Sequence, residues 1–421
     1  MKTKAVRLYG KNDLRLEEFE LPNIREDEIL AQIISDSICM SSYKAAIQGA
    51  EHKRVPKDIA HNPIIIGHEF CGEIVEVGSK WKDSYRAGSK FTIQPALNQK
   101  NDPYASPGYS FKYIGGSATY IVIPNVVMEL GCLLPYEGDS FFSGSLAEPM
   151  SCIVGTFHAN YHTKPGSYIH DMGIVEDGNM AILAGVGPMG LGAIDYAIHC
   201  NRKPRLLVVT DIDEDRLKRA ASIYTTDEAK RNGVELVYVN TSGSDKGVDH
   251  LKSLTDGKGY NDVFVFAPVK SVVEMGDKLL AYDGCLNFFA GPSNPGFSAE
   301  FNFYDVHYNA THVVGTSGGN TGDLKESLDM MGKGIINPAS MITHIGGLDS
   351  VVDTVLKLPN IPGGKKLIYT NIQMELTAID SLREKEKDNP LFGRLADIVD
   401  KTNGLWSAEA EKYLLANAKE M

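Results

Sequence analysis

Short apolar and β-branched runs, each closed by Gly, Pro or polar residues, dominate the first third of the chain. They predict strands at Ile29–Ser35, Ile64–Ile66, Glu73–Val77 and Tyr120–Ile123, with Val77-Gly78-Ser79 ending one of them in a turn. The stretch 95–116, rich in Pro, Gly, Asn and aromatics, is predicted to be a long surface loop. The texture changes after about Gly155. Ala181–Ala184, Leu206–Val209, Leu236–Val239, Val263–Phe266, Cys285–Phe289 and His312–Val314 have the composition of buried strands. Helical stretches such as Glu214–Ala221 and Ser271–Leu280 separate them. Strands alternating with helices imply a parallel sheet covered on both faces, and so an α/β fold. From about Leu376 the pattern is charged and helical, as in Glu384–Lys387 and Ala408–Lys419.

A chain of 421 residues suggests two or three domains, and 43% hydrophobic with 23% charged residues is a globular balance. Lys and Arg number 42 against 54 Asp and Glu, a net charge of -12. That excess disfavours nucleic acid or an anionic membrane as partner, but leaves room for a local basic pocket. Met1–Gly10 has no apolar stretch of the secretory kind, and the most apolar long segment, Ala181–Ile198, is broken by glycines and Asp195. Six cysteines with no CxxC pair suggest a reduced, cytoplasmic protein.

Two constellations carry chemistry. The first is Gly185-Val186-Gly187-Pro188-Met189-Gly190, a GxGxxG with an apolar strand before it and a helix-forming stretch after it. Gly185 permits a tight turn, Gly187 lets backbone approach a pyrophosphate, and Gly190 lets helix and sheet pack closely. A second strand ends in Asp211, about 20 residues on, where an acid can accept from the adenosine ribose hydroxyls. Its charge favours NAD(H) over NADP(H), and a plain helix N-cap is its other reading. Arg216 follows one helical turn later and could stack on adenine or offset that charge.

The second constellation is Cys39, then Gly67-His68-Glu69, then Glu148-Pro149. Thiolate, imidazole and carboxylate are all competent zinc ligands. Taken singly, Cys39 reads first as a small buried hydrophobe and His68 as a core histidine, and Glu148 could simply end a loop.

Gly67-His68-Glu69 followed by Gly72-Glu73-Ile74-Val75-Glu76-Val77-Gly78 resembles the signature of the medium-chain zinc alcohol dehydrogenases. Cys39-Met40-Ser41 resembles that family's first zinc-ligand motif, and Glu148-Pro149-Met150-Ser151 resembles the polyol-dehydrogenase branch. The resemblance implies a β-rich GroES-like catalytic domain over 1–155, a Rossmann domain with a doubly wound parallel sheet over 156–316, and a return to the catalytic domain with a helical extension over 317–421. It implies that Cys39, His68 and Glu69 hold a catalytic zinc, with Glu148 ligating directly or through water. It also implies that Ser41 passes the substrate proton outward and that Lys366 contacts the cofactor pyrophosphate.

Three departures from the family pattern matter. The loop 94–116 lacks the cysteines of a structural zinc, so one zinc per chain is expected. Ser42 stands where an Asp usually supports a ligand. Lys44 stands where a relay histidine is common, and it is either the end of a proton relay, an anion contact or a solvated lysine.

Longer stretches, among them Asn62–Gly72, Gly108–Phe111, Asp283–Pro292 and Phe303–Tyr308, look like one subgroup, the L-sorbose-1-phosphate reductases. The resemblance implies reduction of L-sorbose 1-phosphate to D-glucitol 6-phosphate with NAD(P)H, a small sugar phosphate as partner, and a homo-oligomer, dimer or tetramer. The basic segment Lys44–Lys57, with His52, Lys53 and Arg54, is the candidate phosphate contact, its alternative being a solvated loop. Rival readings are a related enzyme of an unphosphorylated polyol or threonine-like substrate, a zinc-free reductase, and a silent NAD-binding regulator.

Overall fold

The computed structural model describes residues 1–243, 247–387 and 389–421. The first strands are β1 (Lys2–Gly10), β2 (Asp13–Glu20) and β3 (Ile29–Ile38), followed by helix α1 (Met40–Gln48). Next come β4 (Ile64–Ile65), β5 (Phe70–Val77), β6 (Lys90–Ile93), β7 (Tyr120–Ile123), α2 (Asn125–Glu129), β8 (Leu133–Pro135) and α3 (Phe141–Ala159). The middle of the chain holds β9 (Tyr161–His162), β10 (Asp171–Met172), β11 (Asn179–Leu183), α4 (Pro188–His199), β12 (Leu206–Asp211) and α5 (Glu214–Ile223). It continues with β13 (Glu235–Asn240), β14 (Tyr260–Val265), β15 (Leu280–Phe288) and β16 (His312–Val314). The last strands are β17 (Ile342–Gly347), β18 (Lys365–Tyr369), β19 (Ile372–Gln373), β20 (Thr377–Ala378) and β21 (Lys419–Glu420).

The chain divides into two compact units. One comprises 1–149, 320–332 and 342–421, and the other 150–319 and 333–341. The exchange after Pro149 falls inside α3, a few residues before the change of texture at about Gly155.

The first unit is built on an eight-stranded mixed sheet in the order β20-β17-β18-β3-β5-β6-β8, with β7 also paired to β3. Its central strand β3 is buried along nearly its whole length, as expected of a strand covered on both faces. Ile29, Ala31 and Ile33 pack with Phe70, Phe91 and Ile121. A second cluster gathers Ile38, Ala45, Ile66 and Tyr109 with Leu348, Val355 and Ile368 from the far end of the sequence. The C-terminal segment is part of this unit: the helices Pro390–Lys401 and Ala408–Asn417 flank Trp406, which is 2% exposed.

The stretch 95–116 contains neither helix nor strand; as expected of a surface loop 98–104 lies mostly exposed, but 105–109 and 114–116 are buried. Ser106, Tyr109 and Ile114 are buried, and Tyr109 packs against the rings of His52 and His68. Tyr104 stays half exposed, whereas the Tyr109 ring buries a large apolar area while its hydroxyl finds a partner at His68.

The second unit is a six-stranded parallel sheet in the order β13-β12-β11-β14-β15-β16. Counted from β11, this is the 3-2-1-4-5-6 order of a Rossmann fold, reversing between β11 and β14. Ala181, Leu183, Val208, Val263, Val265 and Leu286 form its core. Among the described residues no helix is long and apolar enough to cross a membrane.

Candidate functional site

Strand β3 ends at Ile38, and Cys39 is the N-cap of α1. The thiol therefore sits at a helix N-terminus, whose dipole opposes the cost that burial sets on a thiolate. His68 and Glu69 come from the turn between β4 and β5. Gly67 makes that turn with φ +92, and a Cβ there would lie 2.3 Å from the Asp36 carboxylate, so only glycine fits. The ligand atoms of Cys39, His68 and Glu69 all lie within 4.8 Å of one another. His68 and Glu69 are 4% and 1% exposed.

The surroundings orient this trio. Ser42 Oγ stands 3.4 Å from His68 Nδ1, so the serine in place of the usual aspartate still faces the imidazole. An Nδ1–H donated to Ser42 turns the Nε2 lone pair toward the cluster. Ser41 Oγ and the Tyr109 hydroxyl each lie 3.3 Å from Nε2. Lys365, on β18, donates to both Glu69 oxygens, at 2.5 and 2.7 Å. Glu148, on α3, is 7% exposed.

The protonation equilibria show how closely these charges feel one another. Burial, then the neighbouring Glu69, pushes Glu148 up to about 7. Burial lowers the basicity of His68, Glu148 and Glu69 oppose that, and Lys365 and Arg54 add to it. Burial disfavours the Glu69 carboxylate, but Lys365 outweighs it and the carboxyl is held below its ordinary range. Cys39 is raised by burial and by Glu69, with Lys365 opposing.

A second group of cations lies close by. His52 stacks on Tyr109 with ring centroids 5.8 Å apart, and the Arg54 guanidinium lies 5.3 Å from the centre of the same Tyr109 ring. Burial and the charges of Arg54, Lys53 and Lys44 together hold His52 down to about 4. Lys44 lies on α1, and its charge is the weakest of the three felt by His52.

In the second unit, Gly185–Gly190 joins β11 to α4, with Gly187 as N-cap and Pro188 in the first turn. A Cβ on Gly190 would lie 2.1 Å from the Gly185 carbonyl oxygen, so the close approach of helix to strand needs glycine. A Cβ on Gly187 would meet nothing within 4 Å, and no N-cap side chain satisfies the helix's first N–H groups. Val186 is buried, while Pro188 and Met189 are partly exposed. Asp211 ends β12, and its Oδ1 accepts from Ile212 N and Asp213 N at 2.8 and 3.1 Å. Among the described residues no protein donor reaches Oδ2. The N-cap of α5 is Asp213, not Asp211, and Arg216 pairs with Asp213 at 3.6 Å.

Lys366 is the second residue of β18. Its ammonium donates to the carbonyls of Pro362 and Gly364, both at 2.7 Å, and the residue is 1% exposed. The neighbouring Lys365 carries no motif signal of its own and joins the Glu69 cluster. The Tyr109 hydroxyl reaches His68 across 41 residues of chain, so nothing local in the sequence marks it.

A buried thiol, imidazole and carboxylate set with a second carboxylate beside it fits a zinc ion by its donor chemistry. The uncapped α4 N-terminus and the unmatched Asp211 oxygen fit a dinucleotide. Residues 25–130 match the alcohol dehydrogenase GroES-like domain, and residues 188–333 match the zinc-binding dehydrogenase family. The chain is 53% identical over 413 residues to mannitol-1-phosphate 5-dehydrogenase of Aliivibrio fischeri, covering 98% of this chain and 97% of that protein. It is 49% identical over 419 residues to L-sorbose 1-phosphate reductase of Klebsiella pneumoniae, covering 100% and 98%. The crystal structure of 2R,3R-butanediol dehydrogenase from Bacillus subtilis superposes with a TM-score of 0.67 at 19% identity, covering 88% of this chain and all of that one. The chain belongs to the medium-chain zinc-containing alcohol and polyol dehydrogenases, which act on CH–OH groups.

Proposed function

We infer that this enzyme reduces L-sorbose 1-phosphate to D-glucitol 6-phosphate with a reduced nicotinamide nucleotide. The observation that carries this is the Arg54 guanidinium over Tyr109, whose hydroxyl is 3.3 Å from the imidazole of His68. In a 2-ketose 1-phosphate the phosphate sits on the carbon next to the carbonyl. Cations one aromatic ring away from the metal ligands suit that spacing, and Lys53 and Lys44 reinforce the field.

When bound, zinc supplies Lewis-acid polarisation of the carbonyl and the nicotinamide supplies the hydride. Cys39, His68 and Glu69 would hold the metal, with Glu148 ligating directly or through water. Ser41 keeps a hydroxyl proton at the cluster for the developing alkoxide, and Lys44 ends that relay. The Gly185-Val186-Gly187-Pro188-Met189-Gly190 turn holds the pyrophosphate, Asp211 the adenosine ribose, and Arg216 flanks the adenine end. Asp211 makes NADH the preferred nucleotide over NADPH. Among the described residues no cysteine is joined in a disulfide, which suits a reducing cytoplasm.

A second reading follows from the relative named for mannitol 1-phosphate. Oxidation of mannitol 1-phosphate at its fifth carbon leaves the new carbonyl four carbons from the phosphate-bearing carbon. The two readings therefore need the phosphate site at different distances from the metal. Oxidation of D-glucitol 6-phosphate and of D-mannitol 1-phosphate, compared by kcat/KM on one preparation, separates them. A clear preference for D-glucitol 6-phosphate is expected, and a preference for D-mannitol 1-phosphate overturns the first reading.

A further inference from the structure

We propose that Glu411, in the C-terminal extension, is a positioning residue that ties the two elements delivering Glu148 and Lys365 to the metal site. The inference rests on the reading of Cys39, His68, Glu69 and Glu148 as that site. Glu411 lies on the helix Ala408–Asn417 and is 3% exposed. Its carboxylate accepts from the backbone N–H groups of Phe141 and Phe142 at 2.6 and 2.8 Å. These are the first two residues of α3, where donors have no partner inside the helix. A carboxylate at that end gains both charge-assisted hydrogen bonds and the favourable end of the helix dipole.

The same carboxylate accepts from the Tyr369 hydroxyl at 2.9 Å, and Trp406 Nε1 donates to that hydroxyl at 2.7 Å. Tyr369 is the last residue of β18, and Lys365 is the first. Four residues apart on one strand, they point to the same face of the sheet. One buried acid thus anchors the start of the helix that bears Glu148 and the end of the strand that bears Lys365.

Pro149 makes the anchor matter more. It has no N–H, so the Ser145 carbonyl loses its helical donor directly beside Glu148. The segment from Phe141 to Glu148 is then held by bonds from outside the helix. Ser35 Oγ donates to Phe141 O at 2.9 Å, Thr92 Oγ1 to Gly144 O at 2.8 Å, and Ser327 Oγ to Ala147 O at 3.2 Å. Those contacts hold carbonyls, whereas Glu411 holds the two leading N–H groups.

The test uses the full chain loaded with Co2+ in place of zinc, so that visible absorption reports the metal's surroundings. Glu411→Ala, Glu411→Gln, Glu148→Gln and the unaltered protein are compared for Co2+ affinity and for the absorption band. Glu411→Ala is expected to weaken Co2+ binding about 10-fold or more, as supporting residues around a metal commonly do. It should move the band in the direction that Glu148→Gln moves it. Glu411→Gln, which keeps an acceptor oxygen, should recover part of both effects. Tyr369→Phe removes one donor and keeps the ring, and it carries the same comparison if Glu411→Ala does not fold. A shifted band in Glu148→Gln with unchanged band and affinity in the Glu411 and Tyr369 variants overturns the inference alone, whatever happens to the melting temperature. No band shift in Glu148→Gln, or no Co2+ bound by the unaltered protein, overturns the site reading and this inference with it.

Discussion

The Lys365 ammonium donates to both carboxylate oxygens of Glu69, and the two side chains are almost wholly removed from water. Removing one partner of a buried pair strands the other charge. Lys365→Met is therefore expected to destabilise the protein by about 3–5 kcal/mol. Combined with Glu69→Gln, most of that loss should return, because the uncompensated charge is gone. Denaturant unfolding of the two single variants and the double variant measures this coupling. Additive losses would mean that the pair is not coupled.

Arg54 and Lys53 are expected to set affinity for the phosphate ester. A hydrogen bond to a charged group is worth about 1.5–3 kcal/mol, or roughly 10- to 100-fold in binding. Arg54→Ala should raise KM for L-sorbose 1-phosphate by that factor, and Lys53→Ala, at the more exposed position, by less. The rate with unphosphorylated sorbose should not change. An unchanged KM for the ester in both variants removes these residues from the phosphate site.

Asp211 is expected to set nucleotide choice. Its Oδ2 faces no donor among the described residues, so a ribose hydroxyl can take that place. Asp211→Ser should lower kcat/KM with NADH about 10-fold, the loss of one charged hydrogen bond, while kcat/KM with NADPH holds or rises. Equal losses with both nucleotides would show that Asp211 serves the fold instead.

His199, in the last turn of α4, gives the second unit a pH dependence. Its Nδ1 lies 2.9 Å from Asp195 Oδ1, its Nε2 lies 3.7 Å from Glu228, and Asn232 Nδ2 faces Nε2 at 3.5 Å. The hydrogen bond with Asp195 raises its proton affinity, and partial burial opposes that. A folded-state value above the unfolded one, about 6.5, contributes stability that is complete below the unfolded value. That contribution is lost as pH rises through the folded value. The melting temperature should therefore fall across this range, and His199→Gln should flatten the fall by being less stable mainly on the acid side. An equal offset at every pH would assign His199 to packing alone.

Much of this molecule could be read from its chain because the relevant signals are local. The glycine turn, the apolar strand before it and Asp211 lie within one βαβ segment, and periodicity marks each part. Cys39 and His68-Glu69 were legible as motifs. What joins them was not, since β3, β5 and β18 meet only in the sheet. The two lysines of β18 show the limit most clearly. Lys365 and Lys366 are adjacent, so a strand turns them to opposite faces. Choosing between them requires the register of β18 against β3, where Lys366 pairs with Ile38 across more than three hundred residues of chain. Glu411 was illegible for the same reason: its partners Phe141 and Tyr369 are brought to it only by the finished fold. In the loop 95–116 turn-forming composition says where the chain bends but not which aromatics face inward: Tyr104 stays at the surface and Tyr109 is buried.

The most direct test is the oxidation of NADH by metal-analysed protein, offered L-sorbose 1-phosphate beside unphosphorylated sorbose. Rapid oxidation with the ester alone, one zinc per chain, and loss of the rate on chelation with recovery on added Zn2+ are expected. Equal rates with free sorbose, or no turnover of the ester by zinc-loaded protein, would contradict the assignment of a sugar-phosphate substrate to this site.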